Sequence, residues 1–415
     1  MGTAAARPIT VGPAEQGFLP DELLEEIFLR LDAADDLARA SAACTLFRRI
    51  VCARRFVRRF RSLHPAPVLG FFQFNAPGSL HPAPVLGFFQ FNAPGGFHPA
   101  EPPHPSAPAA RALTQAIDFA FSVIPNPDSW RVLDAQDGRV LLAAGFIPTT
   151  LDLVVCDPLY RRYVQIPKIP DDLVASTGNN GEMVFLPFLA PAGEDEEEES
   201  SFRVIYNAMS GSEVYGFVTF VFSSVTKEWR GVKSLSIFPH VRFCDLGWSM
   251  RYYVHSSFYW TCLSWEFLFV LDTREMKYSV IGLPHGVLRE DLVVVDAGDD
   301  RLGFLALNSR TLDLYCKNLR NNDVDAEEWQ HQKTVPLPEL DCEWRIRGGS
   351  NGYVLLEAIL PLPQFNGSSW EKPKSQYFTL EVKRLLVERL CVADMCLLRT
   401  CIYTNFPPPM SLLSI

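Results

Sequence analysis

Residues 19–51 read "LPDELLEEIFLRLDAADDLARASAACTLFRRIV". A Leu-Pro pair opens the stretch. Leu23, Leu24, Ile27, Phe28 and Leu31 then fall at i, i+1, i+4, i+5 and i+8, one stripe of a 3.6-residue period. Pro20 stands where the start of a helix tolerates a missing N–H, and Asp21, Glu22, Glu25 and Glu26 suit the positive end of its dipole. Asp35 or Asp36 suits the N-cap of a second helix, whose face is Leu37, Ala40, Cys44, Phe47 and Ile50. A third segment, "ARRFVRRFRSLH", sets Phe56, Val57 and Phe60 between arginines. The pattern predicts a three-helix domain over 18–61. A unit of about 45 residues cannot bury every apolar side chain, so part of this stripe is expected to meet a partner.

Outward from this core the composition changes twice. Residues 1–17 are small and polar and read as a disordered lead. Residues 62–110 are dense in proline and nearly free of charge, which reads as a linker. They carry "SLHPAPVLGFFQFNAPG" at 62–78 and again, unchanged, at 79–95. Identical copies have identical propensity, so either "VLGFFQF", Val68–Phe74 or Val85–Phe91, could supply a strand. A duplication in a loop costs little, because each doubling of loop length costs about 0.6 kcal/mol.

Residues 111–415 read as strands separated by turn residues. Strands of the type "DGRVLL", "RLGFLAL" and "NGYVLLE" tend to precede a unit in which a strand ends, a charged turn follows, and a second strand ends near proline. These units run from Val154–Asp157 to Pro167, from Phe269–Asp272 to Pro284 and from Leu314–Lys317 to Pro336. A self-similarity of roughly 45 residues is the size of a four-stranded propeller blade, and five to seven blades are expected. Acidic insertions at 191–200 and 321–329 read as solvated loops.

The opening stretch resembles an F-box at Leu19, Pro20, Leu23, Ile27, Leu31, Leu37, Cys44, Phe47, Arg48 and Ile50. One position departs: the F-box usually carries Trp where this chain has Phe47, which keeps an apolar ring and loses the indole N–H. The later "WRVLDAQDGRVLL", "VCDPLYRRYVQIP" and "NFPPPMSLLSI" resemble the β-rich domain of a large F-box family of grasses. The resemblance implies an α+β multidomain receptor, with the F-box followed by a mainly-β, propeller-like domain. It implies a Skp-type adaptor, cullin and RING subunits reached through that adaptor, and an unknown protein substrate held for ubiquitination. The adaptor contacts it implies are Leu19, Pro20, Leu23, Ile27, Leu31, Leu37, Cys44, Phe47 and Ile50.

Other chemistries find less support. The net charge is −10, and no P-loop, G-x-S-x-G or H-E-x-x-H is present, so no catalytic residue, metal or cofactor is expected. "RGGSNG" at 347–352 precedes a strand and reads as a hairpin turn. The ten cysteines show no C-x-x-C, and reduced thiols in a soluble cytoplasmic or nuclear protein are expected. His64, His81, His98 and His104 lie beside prolines, a poor setting for rigid geometry. No acidic residue separates Asp36 from Glu101, so Arg48–Arg61 offers a nucleic-acid reading, although no aromatic stacking platform accompanies it. A propeller scaffold without ligase coupling is the other alternative.

Overall fold

The computed structural model describes residues 19–31, 34–64, 66–73, 96–144, 152–176, 186–191, 201–209, 217–234, 250–261, 266–284, 287, 292–319, 328–360, 374–394 and 400–406. The lead at 1–17, the second copy of the repeat, most of both acidic insertions and the end of "NFPPPMSLLSI" lie outside them. The chain divides into two compact units, one ending at His64.

The first unit is helical. It holds α1 (Asp21–Leu29), α2 (Ala34–Ala43), α3 (Thr45–Val51) and α4 (Arg54–Leu63). The second of the three expected helices is divided at Cys44, which turns to an extended backbone and accepts the Phe47 N–H on its Sγ at 3.4 Å. α2 begins at Ala34, so Asp35 and Asp36 fall in its first turn rather than at the cap. Leu24, Phe28 and Leu29 of α1 pack inward with Leu37, Ile50, Val51, Phe56, Val57 and Phe60. Phe28 meets Phe47 and Phe56 edge-on, with centroids 5.1 and 6.5 Å away.

The second unit is a six-bladed β-propeller. Its closing blade holds β1 (Val68–Gln73) and β2 (Phe97–Pro99) from one end of the strand order and a last strand from the other. A helix, α5 (Ala107–Ala116), follows them. Blade one is β3 (Arg131–Gln136), β4 (Arg139–Ala144), β5 (Asp152–Asp157) and β6 (Arg162–Ile166). Blade two is β7 (Phe188–Pro191), β8 (Phe202–Met209), β9 (Phe217–Ser223) and β10 (Trp229–Ser234). Blade three is β11 (Met250–Val254), β12 (Ser257–Thr261), β13 (Phe267–Asp272) and β14 (Lys277–Gly282). Blade four is β15 (Leu292–Asp296), β16 (Arg301–Asn308), β17 (Thr311–Asn318) and β18 (Gln330–Pro336). Blade five is β19 (Glu343–Ser350), β20 (Tyr353–Ile359), β21 (Lys374–Glu381) and β22 (Leu386–Asp394). β23 (Thr400–Thr404) then pairs antiparallel with β1 and completes the sixth blade in the order β2-β1-β23.

The local reasons for this repetition are readable. Asp137 and Gly138, with φ of 50° and 78°, turn β3 into β4 as the Asp-Gly pair requires. A Cβ on Gly138 would lie 2.6 Å from the Asn405 amide nitrogen. The charged turns are Asx-type turns: Asp157 accepts the Tyr160 N–H, and Asp272 accepts the Arg274 and Glu275 N–H groups. Ser223 takes the same part in blade two, accepting from Val225 and Thr226. Two tryptophans then staple neighbouring blades. Trp229 donates to the Pro167 carbonyl and Trp329 to that of Gly282, each at 2.7 Å.

The expected linker over 62–110 is corrected. α4 continues to Leu63, and the propeller begins at β1, whose six residues are all buried. β1 lacks charge because that strand is core. Successive side chains of a strand point to opposite faces. Phe71 and Phe72 therefore face opposite ways, and a register shift between Val68 and Gly70 brings Val68 onto the Phe71 side: Val68 and Phe71 join Tyr377, Leu390 and Ile402 towards blade five, while Leu69 and Phe72 join Val132, Val140 and Tyr403 towards blade one. The first copy of the repeat fills this strand. Gly70 is required within it, since a Cβ there would sit 2.2 Å from the His98 carbonyl oxygen.

The next residues are also anchored. Glu101 donates its N–H to Leu390, and Arg389 reaches the Pro102 carbonyl. His104 is buried; its Nδ1 accepts the Ser106 N–H, so its Nε2 carries the proton given to the Thr379 hydroxyl at 2.9 Å. This histidine is held rigidly, contrary to its proline-rich setting. Burial lowers its pKa from 6.5 to about 4.

Two predictions follow from the closing blade. Phe72→Ala costs about 3–5 kcal/mol in urea unfolding, whereas Phe89→Ala, the same change in the second copy, stays within about 0.5 kcal/mol. Deleting Ser79–Gly95 yields the same chain as deleting Ser62–Gly78 and leaves the melting temperature unchanged or raised; equal losses at Phe72 and Phe89 would contradict the assignment. The second concerns His104. Its folded pKa lies below the unfolded one, so its contribution is complete above pH 6.5 and falls by up to about 3 kcal/mol as pH drops towards 4. His98, also lowered by burial, adds to the same slope. Unfolding at neutral and acid pH should show a shallower slope for His104→Gln than for the wild type; equal slopes would count against the buried neutral imidazole.

Candidate functional site

The helical unit presents an apolar line on α1. Leu19, Leu23 and Ile27 are 48%, 52% and 47% exposed, although each is a large aliphatic side chain. The spacing of four places Leu23 and Ile27 one above the other on α1, about a quarter-turn round from Leu24 and Phe28, and Leu19 stands two residues before the helix. Pro20 is exposed at the N-cap position. Leu31 lies beyond the helix end and is half-buried, because the chain tightens through Arg30 to Ile27 and Leu31 to Phe28 hydrogen bonds. Cys44 is exposed, and Phe47 is half-buried against Phe28. Leu37 and Ile50 are buried within the unit, so these two expected contacts are core residues: α2 packs on α3, and α3 on α1.

Charge pairs hold this line in place. Arg59 of α4 bridges Glu25 and Glu26, each at 2.7 Å, and Arg49 of α3 reaches Asp21 at 2.6 Å. Exposed pairs of this kind contribute little to stability, roughly 0–1 kcal/mol each. Their effect is to neutralise part of the basic run and to orient α1. The sequence displayed both charge runs, but their pairing depends on the fold-back of α4.

The propeller contributes a second feature at its axis. A cavity of about 80 Å³ lies between the inner strands β3, β11, β19 and β23. Asp134 and Arg251 line it and form an ion pair at 2.7 Å, each side chain 13% exposed. Asp134 also accepts the Leu189 N–H at 2.9 Å and the Ala135 N–H at 3.1 Å. The Arg251 guanidinium lies over the Phe188 ring, 4.1 Å from its centroid. Blades one, two and three thus meet at one carboxylate. "RGGSNG" proves to be mostly strand: Gly348, Gly349 and Ser350 belong to β19 and line the cavity, and the turn is Asn351–Gly352. A Cβ on Gly349 would meet Val293 at 2.7 Å. Nothing local in the sequence marked Asp134 or Arg251.

Among the described residues, no group of three His, Cys, Asp or Glu side chains is placed to hold a metal. None of the described cysteines forms a disulfide, and burial pushes the Cys156 and Cys391 thiols up to about 12, away from the reactive thiolate. No described helix is long and apolar enough to cross a membrane.

Residues 17–62 match the F-box-like family model. The chain therefore carries an F-box-like domain followed by a six-bladed propeller. No curated protein matches the chain in sequence. Among solved structures it is similar to YCF48 bound to D1 peptide, at 8% identity over 64% of this chain and 69% of that one, with a TM-score of 0.32. It is also similar to xylan β-1,4-xylosidase from Bacillus halodurans, at 9% identity, 64% and 57% coverage and a TM-score of 0.29. A puromycin-hydrolysing peptidase of Mycobacterium tuberculosis gives 13% identity, 65% and 38% coverage and a TM-score of 0.32. The blade count rests on strand pairing in this chain and on none of these.

Proposed function

We propose that the chain is the substrate receptor of a Skp–cullin–F-box ubiquitin ligase. The observation that carries this reading is the exposed line of Leu19, Leu23 and Ile27 in a domain that matches the F-box-like model. Three aliphatic side chains left in water, two on one face of α1 and one just before it, are best explained by a partner groove. Pro20, Leu31, Cys44 and Phe47 border that line as further adaptor contacts, while Leu37 and Ile50 support it from within. The adaptor brings cullin and RING subunits, and the propeller holds a protein substrate.

In this role the chain forms and breaks no bond. It raises the effective concentration of substrate beside a ubiquitin-conjugating enzyme. The work belongs to the cytoplasm or nucleus, in keeping with the resemblance to the grass F-box family. A nucleic-acid role is disfavoured because Arg49 and Arg59 already engage Asp21, Glu25 and Glu26.

Purified full-length protein should retain a Skp-type adaptor, and Leu23→Asp with Ile27→Asp should weaken that binding at least about a hundredfold, since two buried aliphatic contacts are lost. Both residues are exposed, so circular dichroism and the melting temperature stay unchanged. Equal binding by the double variant would overturn the docking face. No binding by the wild type would favour a propeller scaffold without ligase coupling.

A further inference from the structure

We propose that the axial cavity of the propeller binds a carboxylate, supplied by an Asp or Glu side chain or by the C-terminus of a bound protein. Arg251 carries five N–H donors, and its only hydrogen bond among the described residues is to Asp134. The Phe188 ring fixes the plane of the guanidinium and removes water from one of its faces. The remaining donors border the cavity together with the side chains of Gln136 and Ser350, which make no hydrogen bond among the described residues.

The sign of the ligand follows from Asp134. Its oxygens already receive the Leu189 and Ala135 N–H groups and Arg251, so a ligand cation finds little free acceptor capacity there. The same N–H groups spread the carboxylate's charge and lessen its repulsion of a second anion. The size of the charge follows from Arg251. It is the one cation lining the cavity among the described residues, and it is shared with Asp134. A singly charged carboxylate matches one shared guanidinium, whereas a phosphate dianion would need a second cation. The cavity of about 80 Å³ exceeds what a single water requires and admits a small polar group such as a carboxylate.

That this pocket reads the ligase substrate rests on the receptor function proposed above; its chemistry does not. The test uses the full chain without adaptor, so failure of either reading is seen separately. The Arg251 Nε–Hε resonance of ¹⁵N-arginine protein, assigned with Arg251→Lys, is followed during titration with acetate against chloride at constant ionic strength. Acetyl-Gly-Asp-Gly-amide, acetyl-Gly-Gly-Gly with a free C-terminus, and acetyl-Gly-phosphoserine-Gly-amide follow. Acetate should shift the resonance saturably, and one carboxylate peptide should bind more tightly than acetate, identifying side chain or C-terminus as the source. Gln136→Leu and Ser350→Val, which leave the ion pair intact, should each weaken binding about tenfold at unchanged melting temperature. The proposal is overturned if acetate and chloride act alike, if the phosphoserine peptide binds best, or if neither variant changes the midpoint.

Discussion

The pairing of β1 with β23 is the constraint on which the second unit depends. A propeller is a ring of sheets, and the ring closes only where the two ends of its strand order share a blade. Here residues 68–73 lie against 400–404, with Phe71 opposite Ile402 and Phe72 opposite Cys401. The strand is only six residues long, yet its alternation sends Phe71 to blade five and Phe72 to blade one. Losing it would expose two hydrophobic faces together with a row of unpaired backbone groups. The inner strands that frame the Asp134–Arg251 cavity keep their positions because this joint holds.

The same joint explains how an unchanged duplication persists. Its first copy supplies the closing strand, and its second comes in the chain after that strand and before β2. The helical unit obeys a different economy. Its α1 helix divides its apolar residues: Leu24, Phe28 and Leu29 hold the bundle together, while Leu23 and Ile27, with Leu19 just before the helix, remain exposed. The propeller builds a polar centre within apolar walls, and the helices build an apolar face within a charged surface.

Much of the fold was legible because it rests on local chemistry. The α1 stripe, the Asp137–Gly138 turn and the Asx turns at Asp157 and Asp272 depend on residues a few positions apart. What escaped depends on distant partners. The stripe Leu23, Leu24, Ile27 and Phe28 could not reveal which members face inward, because that is set by Phe47, Phe56 and their helices. Leu37 and Ile50 were placed on the docking face for the same reason. The segment at 62–110 was read as a linker because prolines and missing charge resemble looseness, when β1 lacks charge through burial. Asp134 and Arg251 stand on separate blades, and no spacing rule connects them. The blade count was bracketed but not fixed, since insertions blur a period of roughly 45 residues.

The central claim is a division of labour: one helix face recruits an adaptor, and the closed propeller remains free to hold something else. Hydrogen–deuterium exchange of the full chain, with and without a Skp-type adaptor, tests it most directly. The account predicts slowed exchange confined to peptides covering residues 19–31 and 44–50, with the strands of all six blades unchanged. Protection in the propeller strands, or none in the helical unit despite binding, would contradict it.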